Sequence, residues 1–346
     1  MSITSNNLTT PTTPTAQEIQ ARLAKKFPNL STGTTIPEVE FIPTGYVGFD
    51  YLLGGGLPKG RLIEIIGATG SSKSTLALSM LAALTRQQKI VYICDSENSI
   101  ERSYLERAGV DLNYAVIRNT TSLNDALEFY HTVLSEPETY NPGGFLFDTV
   151  KGFQPNAATT KLQNDAESAL MASAARVWST HHGMLVDLAA HSGAVTICCN
   201  HIMTSLSPYG SPVSKPGGGT IPQVASLSLH IKGKGKKLDD DLKGMGPDYR
   251  GIMSVDIVVD KSRFGTFGRS ITADLTPTGY DNLTTLIRLC KAAGIIRATG
   301  AWYQIELPEG PHKCQGLAAT HQYFSERPDL VADLTKTILS SPTNLG

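Results

Sequence analysis

The chain has no Cys-x-x-Cys pair, no hydrophobic leader, no apolar run approaching the roughly 18 residues of a membrane span, and a net charge of only -1. Each absence excludes something. Its five cysteines, Cys94, Cys198, Cys199, Cys290 and Cys314, read as core thiols of a reduced compartment rather than as a disulfide framework or a zinc site, and the first three sit in apolar strand-like runs. The opening stretch MSITSNNLTTPTTPT is polar and unlike a signal peptide, so a soluble intracellular protein without membrane contact is expected. The near-zero charge gives no global pull toward nucleic acid or anionic lipid, and any such affinity has to be local. There is no internal repeat.

What is there, over 346 residues, suffices for one sizeable α/β core with attachments. Residues 1–15 have the composition of a flexible tail. A short helix is expected next, with Thr15 as N-cap, Glu18 three residues on, and Ile19, Leu23 and Phe27 on one face; that face needs something to pack on. From residue 41 the pattern becomes strand, glycine-rich turn, helix. The runs RLIEIIG, KIVYICD, GGFLFDT and GAVTICCN read as strands of a mostly parallel sheet, each ending in a polar residue or turn. Ligands of such sheets gather at the carboxyl ends of the strands, so Asp95, Asp148 and Asn200 should share an edge with the loop after RLIEIIG.

That loop, GATGSSKST, has the outline of a phosphate-binding loop: Gly67 opens it, Thr69, Gly70, Ser71 and Ser72 line it, Lys73 supplies the cation, and Ser74 and Thr75 begin the helix. In such loops the lysine neutralises the β and γ oxygens and the next hydroxyl, here Ser74, binds Mg²⁺. Ser72 stands where glycine normally permits a conformation that a side chain hinders, at modest cost. Glu97, just past a strand end, could orient an attacking water, and Asp148 suits a partner of the Mg²⁺. Together they read as an ATPase core.

With these landmarks in order, residues 15 to 335 resemble the RecA family of homologous-recombination ATPases. FIPTGYVGFDYLLGGGLPKGRLIEIIGATGSSKSTLAL resembles the family's lead-in to its nucleotide site, CDSENSIERSYLERAGVD its catalytic-glutamate segment, LFDT its Walker B strand and CCNHI its sensor strand. GGGTIPQVASLSLHIK, VVDKSRFGTF and LCKAAGIIRATGAWYQIE match later landmarks. The resemblance implies a RecA-like P-loop core over 37–278, an N-terminal docking segment over 1–36 and a small α+β domain over 279–346. It implies that Glu97 activates water, that Tyr104 stacks on adenine with Glu101 near its amino group, and that His201 senses the γ-phosphate. Lys261 and Arg263 match basic residues that reach the nucleotide of a neighbouring subunit. His201 replaces the glutamine of the cellular members; with Ser72 it leans the chain toward the phage-encoded, UvsX-like branch, acting in the cytoplasm of a bacterial host.

Two DNA-binding loops are implied, at about 157–172 and 202–221, with Arg176 and Ser179 opening a helix beside the first and Met203, Thr204, Ser205, Lys215, Gly217, Gly218 and Gly219 on the second. Backbone and lysine contacts of this kind grip phosphates without reading bases. KGKGKK reads either as a transient grip on the second duplex or as a soluble hairpin tip. The implied activity is an ATP-dependent recombinase forming helical filaments on single-stranded DNA and pairing it with homologous duplex, assisted by mediator and single-strand-binding proteins. A hexameric helicase-like ATPase and a nucleotide-binding DNA scaffold with weak hydrolysis remain open readings.

Overall fold

The computed structural model describes residues 13–27, 30–155, 166–204, 213–214, 219–236, 252–307 and 310–340. Two compact units divide at Glu40 and Phe41. In the first, helix α1 spans Ala16–Leu23 and starts with the expected capping box: Thr15 Oγ1 accepts from the Glu18 N–H at 3.3 Å, and the Glu18 carboxylate accepts from the Thr15 N–H at 2.8 Å. Ile19, Leu23 and Phe27 are exposed.

The second unit begins with a short pair, β1 (Phe41–Ile42) and β2 (Leu57–Pro58), separated by α2 (Val47–Leu53). Then come β3 (Leu62–Gly67), α3 (Lys73–Arg86), β4 (Ile90–Asp95), α4 (Arg102–Arg107), β5 (Ala115–Asn119), α5 (Leu123–Ser135), α6 (Pro137–Tyr140) and β6 (Pro142–Asp148). The long helix α7 (Ala166–Ser192) leads to β7 (Val195–His201), the short pair β8 (Met203–Thr204) and β9 (Val213–Ser214), and α8 (Thr220–Val224). The strands β10 (Leu227–Lys236), β11 (Met253–Ser262), β12 (Ser270–Thr276) and β13 (Gly279–Tyr280) follow. The chain closes with α9 (Asn282–Ala292), the meander β14 (Ile296–Thr299), β15 (Trp302–Ile305) and β16 (His312–Gln315), and helices α10 (Gly316–Ser325) and α11 (Pro328–Ser340).

Nine strands form one sheet in the order β13-β12-β11-β10-β3-β7-β6-β4-β5. From β10 to β5 the neighbours are parallel, and β11 to β13 extend the sheet antiparallel. All six residues of β3 are buried, as expected of a strand covered on both faces. One core, around Ile63, Ile65, Leu76, Leu81 and Ile257, fills the face under α2, α3 and α9; a second, around Phe145, Phe147, Tyr130 and Trp178, fills the face under α5 and α7. Register then fixes the chemistry. Asp95 lies opposite Asp148, and Gly67 opposite His201, so the ends of β3, β4, β6 and β7 meet along one edge.

Two loop assignments need correction. Residues 166–172 are the first turns of α7, so the first loop is shorter than 157–172 and residues 156–165 lie outside the described ones. Arg176 and Ser179 therefore sit well inside a helix rather than opening one; both are exposed. The second loop is also bounded by structure, with β8 paired to β9 and residues 220–221 already in α8. The tip after Lys236 lies outside the described residues.

Candidate nucleotide and phosphate site

The phosphate loop leaves β3 at Gly67, where a Cβ would come to 2.5 Å of Ser71 Oγ and 3.3 Å of the Ile231 carbonyl. Only glycine fits there. Gly70 (φ +74°) and Ser72 (φ +67°) both take left-handed backbone. Ser72 does not reshape the loop; it adopts the conformation that glycine would take, at a cost of about 1–2 kcal/mol. Its Oγ lies 3.9 Å from Met253 Sδ and does not cap α3, so the first-turn N–H groups of that helix carry no side-chain cap. Since glycine carries its own entropy cost, Ser72→Gly is expected to raise the melting temperature by about 1–3 °C and to leave ATP binding intact. A thermal melt that falls would show that the serine is not strained.

Lys73 is buried, and its ammonium donates to the Ala68 carbonyl at 2.9 Å and lies 3.4 Å from His201 Nδ1. Burial lowers its pKa, against the pull of Cys199, Asp148 and Glu97. Ser74 Oγ donates to Asp148 Oδ1 at 3.0 Å. Burial, reinforced by Asp95 and Glu97, pushes the Asp148 carboxyl up to about 6. Cys199 is buried beside it, its thiol held well above the ordinary range first by burial and then by Asp148. Ser71 Oγ is buried with no hydrogen-bond partner among the described residues.

These features fit a Mg²⁺-nucleotide: an uncapped helix start, an unpartnered hydroxyl and a buried cation for phosphate oxygens, and the Ser74 and Asp148 oxygens for a hard cation that keeps waters. Mg²⁺ held there would bridge β and γ oxygens and offset their charge.

Two carboxylates at this edge differ in role. Asp95 is fully buried and accepts from the N–H groups of Glu97, Ser99 and Ile100 at 2.8–2.9 Å, so it shapes the loop after β4. Glu97 is half exposed; its Oε1 accepts from Thr149 Oγ1 at 3.1 Å and stands 3.7 Å from His201 Nε2. His201 thus lies between Glu97 and the Lys73–Thr69 side, with Thr69 Oγ1 3.5 Å from Nδ1. Thr149 was not among the residues singled out by sequence; the only signal was its place after LFD.

Burial, then Lys73, lowers the His201 pKa below its ordinary 6.5, against Glu97. The unfolded chain takes that proton at higher pH, so stability from this group is present above about 6.5 and lost as pH falls. ATP turnover is expected to hold above neutrality and to fall as the ring gains charge beside Lys73. His201→Gln should flatten that fall. Because Asp148 titrates nearby, the readout is the difference between the two pH profiles, and identical profiles would remove His201 from the explanation.

Beside the loop is a cavity of about 230 Å³ lined by Thr75, Tyr104, Arg107, Leu275, Pro277 and Gly279 among others. Tyr104 Oη lies 2.8 Å from Thr75 Oγ1, which ties the cavity to the start of α3. Glu101 is exposed at the N-cap of α4 and outside the lining. Sequence reading missed Arg107 and the Leu275–Gly279 turn, which come from strands far along the chain. A larger recess of about 390 Å³, between β10–β12 and α9, holds none of the motif residues.

Lys261 and Arg263 are not brought to this loop. Lys261 pairs across β10 with Ser228, level with Glu64, and the Arg263 N–H donates to Ser226 beside Leu62. Arg263 is thus displaced about 16 Å along the strand direction from Gly67, at the opposite end of the sheet. The Lys261 ammonium donates to the carbonyls of Pro222 and Gln223 in α8. Gly219 is the N-cap of α8 with open space around it, and Met203 and Thr204 form β8. Ser205, Lys215, Gly217 and Gly218 lie outside the described residues.

The family model described as RecA N-terminal domain matches residues 17–261, from α1 to the end of β11. The chain belongs to the RecA family. Relatives called Protein RecA include those of Thermus aquaticus (26% identical over 306 residues, 87% of this chain and 85% of that one) and Acidothermus cellulolyticus (28% over 303 residues, 87% and 83%). That of Caulobacter vibrioides is 28% identical over 309 residues, 88% and 82%. A RecA-type α/β core and a family role in ATP-dependent, DNA-directed recombination follow. No helix among the described residues is long and apolar enough to cross a membrane.

Proposed function

We propose that this protein polymerises on single-stranded DNA with ATP and Mg²⁺ and catalyses pairing and strand exchange with homologous duplex. The observation that carries the reading is the contact set Lys73–His201–Glu97 at the phosphate loop: His201 ends the strand that leads straight into segment 202–219, so one residue touches both the phosphate side and the root of the proposed DNA loop. Phosphate binding and hydrolysis would then order and release that loop. Lys261 and Arg263, at the far end of the sheet, would serve the nucleotide of a neighbour in an open head-to-tail assembly. The sheet ends at β5, where Val116 and Ile117 are exposed, and an edge of that kind accepts an added segment; the apolar face of α1 offers a second contact.

Within the family, Ser72 and the Asn200–His201 pair favour the phage-type, UvsX-like branch, working in the bacterial cytoplasm alongside mediator and single-strand-binding proteins. Tyr104 would face adenine, and Arg176, Ser179 and the 202–221 segment the DNA backbone. The test is ATP hydrolysis with and without single-stranded DNA, together with negative-stain images and exchange of a labelled strand. Stimulated turnover with open filaments and strand exchange supports the reading. Closed rings, or no turnover by folded protein, would overturn it.

A further inference from the structure

Five of the six residues in β3 are apolar or glycine, as a central parallel strand should be; the sixth is Glu64, fully buried. Burying a carboxylate costs free energy that an apolar residue of similar volume would avoid, so its place calls for a reason. Glu64 Oε1 accepts from Asn200 Nδ2 at 3.1 Å, and Oε2 accepts from Ser228 Oγ at 3.0 Å. Asn200 Oδ1 in turn accepts from the His201 N–H at 3.0 Å. These partners lie on the two strands flanking β3, and they sit at the two roots of segment 202–219. Asn200 is two residues before it. Ser228 follows it by way of α8. Glu64 itself is three residues before Gly67, where the phosphate loop begins.

One buried side chain therefore ties the strand that feeds the phosphate loop to both roots of the segment after His201. On the far side of β10, Ser228 pairs with Lys261, whose ammonium holds the carbonyls of α8. The chain of hydrogen bonds is contiguous, as energetic coupling through a packed interior requires.

We propose that Glu64 is a positioning residue that couples nucleotide binding at the Gly67–Thr75 loop to single-stranded DNA binding at the segment between His201 and Thr220. This rests on the proposed function above. Displacement of β3 when phosphate enters the loop is passed to both roots at once, and ordering of the roots by DNA is passed back. By linkage the factor by which nucleotide tightens DNA binding equals the factor by which DNA tightens nucleotide binding.

The test measures that factor in the full chain, from the anisotropy of a labelled oligothymidylate with and without a non-hydrolysable ATP analogue and Mg²⁺, and from the affinity of the analogue with and without the oligonucleotide. Glu64→Met cuts both hydrogen bonds. Glu64→Gln keeps an acceptor for Asn200 and a donor for the Ser228 hydroxyl. Ser228→Ala cuts one arm with little change of volume and carries the test if Glu64→Met fails to fold. For the wild type a coupling factor in the range of about 5 to 150 is expected. Glu64→Met should bring it to within about twofold of one while each separate affinity stays within about threefold, Glu64→Gln should restore most of it, and Ser228→Ala should fall between.

Wild-type coupling in Glu64→Met or Ser228→Ala would overturn the inference alone. So would a parallel loss of melting temperature and both affinities, which is what a purely structural carboxylate would give. A wild type that binds no oligothymidylate would take down the proposed function, and this inference with it.

Discussion

Glu97→Ala is expected to bind ATP as the wild type does and, with single-stranded DNA present, to hydrolyse it about 10²- to 10⁴-fold more slowly, the usual worth of a positioned general base. The geometry leaves little choice of base. Of the carboxylates at the phosphate edge, Asp95 is committed to three backbone N–H groups and Asp148 is buried against Ser74. Glu97 is the one with half its side chain in solvent, and its loop is held by Asp95 while Thr149 and His201 aim its carboxylate. It contacts no loop backbone, so its removal should spare binding: kcat falls and the dissociation constant for nucleotide stays within about twofold. Stopped turnover with weakened binding would mean that Glu97 supports the loop instead. Turnover within about tenfold of wild type would mean that another group takes the proton.

The edge that carries this chemistry was legible because strand ends can be read from where apolar runs stop. RLIEIIG, KIVYICD and GGFLFDT end where β3, β4 and β6 end, and the parallel order does the rest. GAVTICCN stops one residue short of β7, which includes His201. What a carboxylate at a strand end does was not legible. Asp95 and Glu97 are two residues apart, and only the fold shows that one caps a loop while the other faces the phosphate side. The start of α7 was misplaced for a different reason. Residues 166–172 read as loop by their position between landmarks, yet AESALMA is a run of strong helix formers with no proline or glycine, and local propensity won. The cavity beside Tyr104 was half legible, because its other wall, Leu275 to Gly279, reaches Tyr104 only through the antiparallel extension of the sheet. Ser72 was legible as a departure but not in its outcome, a serine held in glycine's backbone region.

The largest effect is expected from the two cations at the far end of the sheet. Lys261→Ala combined with Arg263→Ala should lower DNA-stimulated turnover by about 10³-fold or more, as loss of cations supplied to a transferring phosphoryl group does, while nucleotide binding by the isolated chain persists. Neither residue is near its own phosphate loop: Lys261 is level with Glu64 on the next strand but one, and Arg263 is exposed beside the start of β3. They can act only on a nucleotide held by another copy, across a heterologous contact between the strand-start edge of one subunit and the strand-end edge of the next. That makes a sharper experiment possible. Mixed in equal amounts, the double variant and Glu97→Ala are each inactive, yet every interface joining an intact Glu97 to intact cations is complete, so about a quarter of wild-type turnover should return in mixed filaments. If the cations served their own subunit, every chain in the mixture would carry a defect at its own site and nothing would return. If instead the Lys261 contact with α8 only stabilises the fold, the double variant will melt lower and mixing will restore nothing, whereas an unchanged melting temperature with restored turnover assigns both residues to the neighbour's nucleotide.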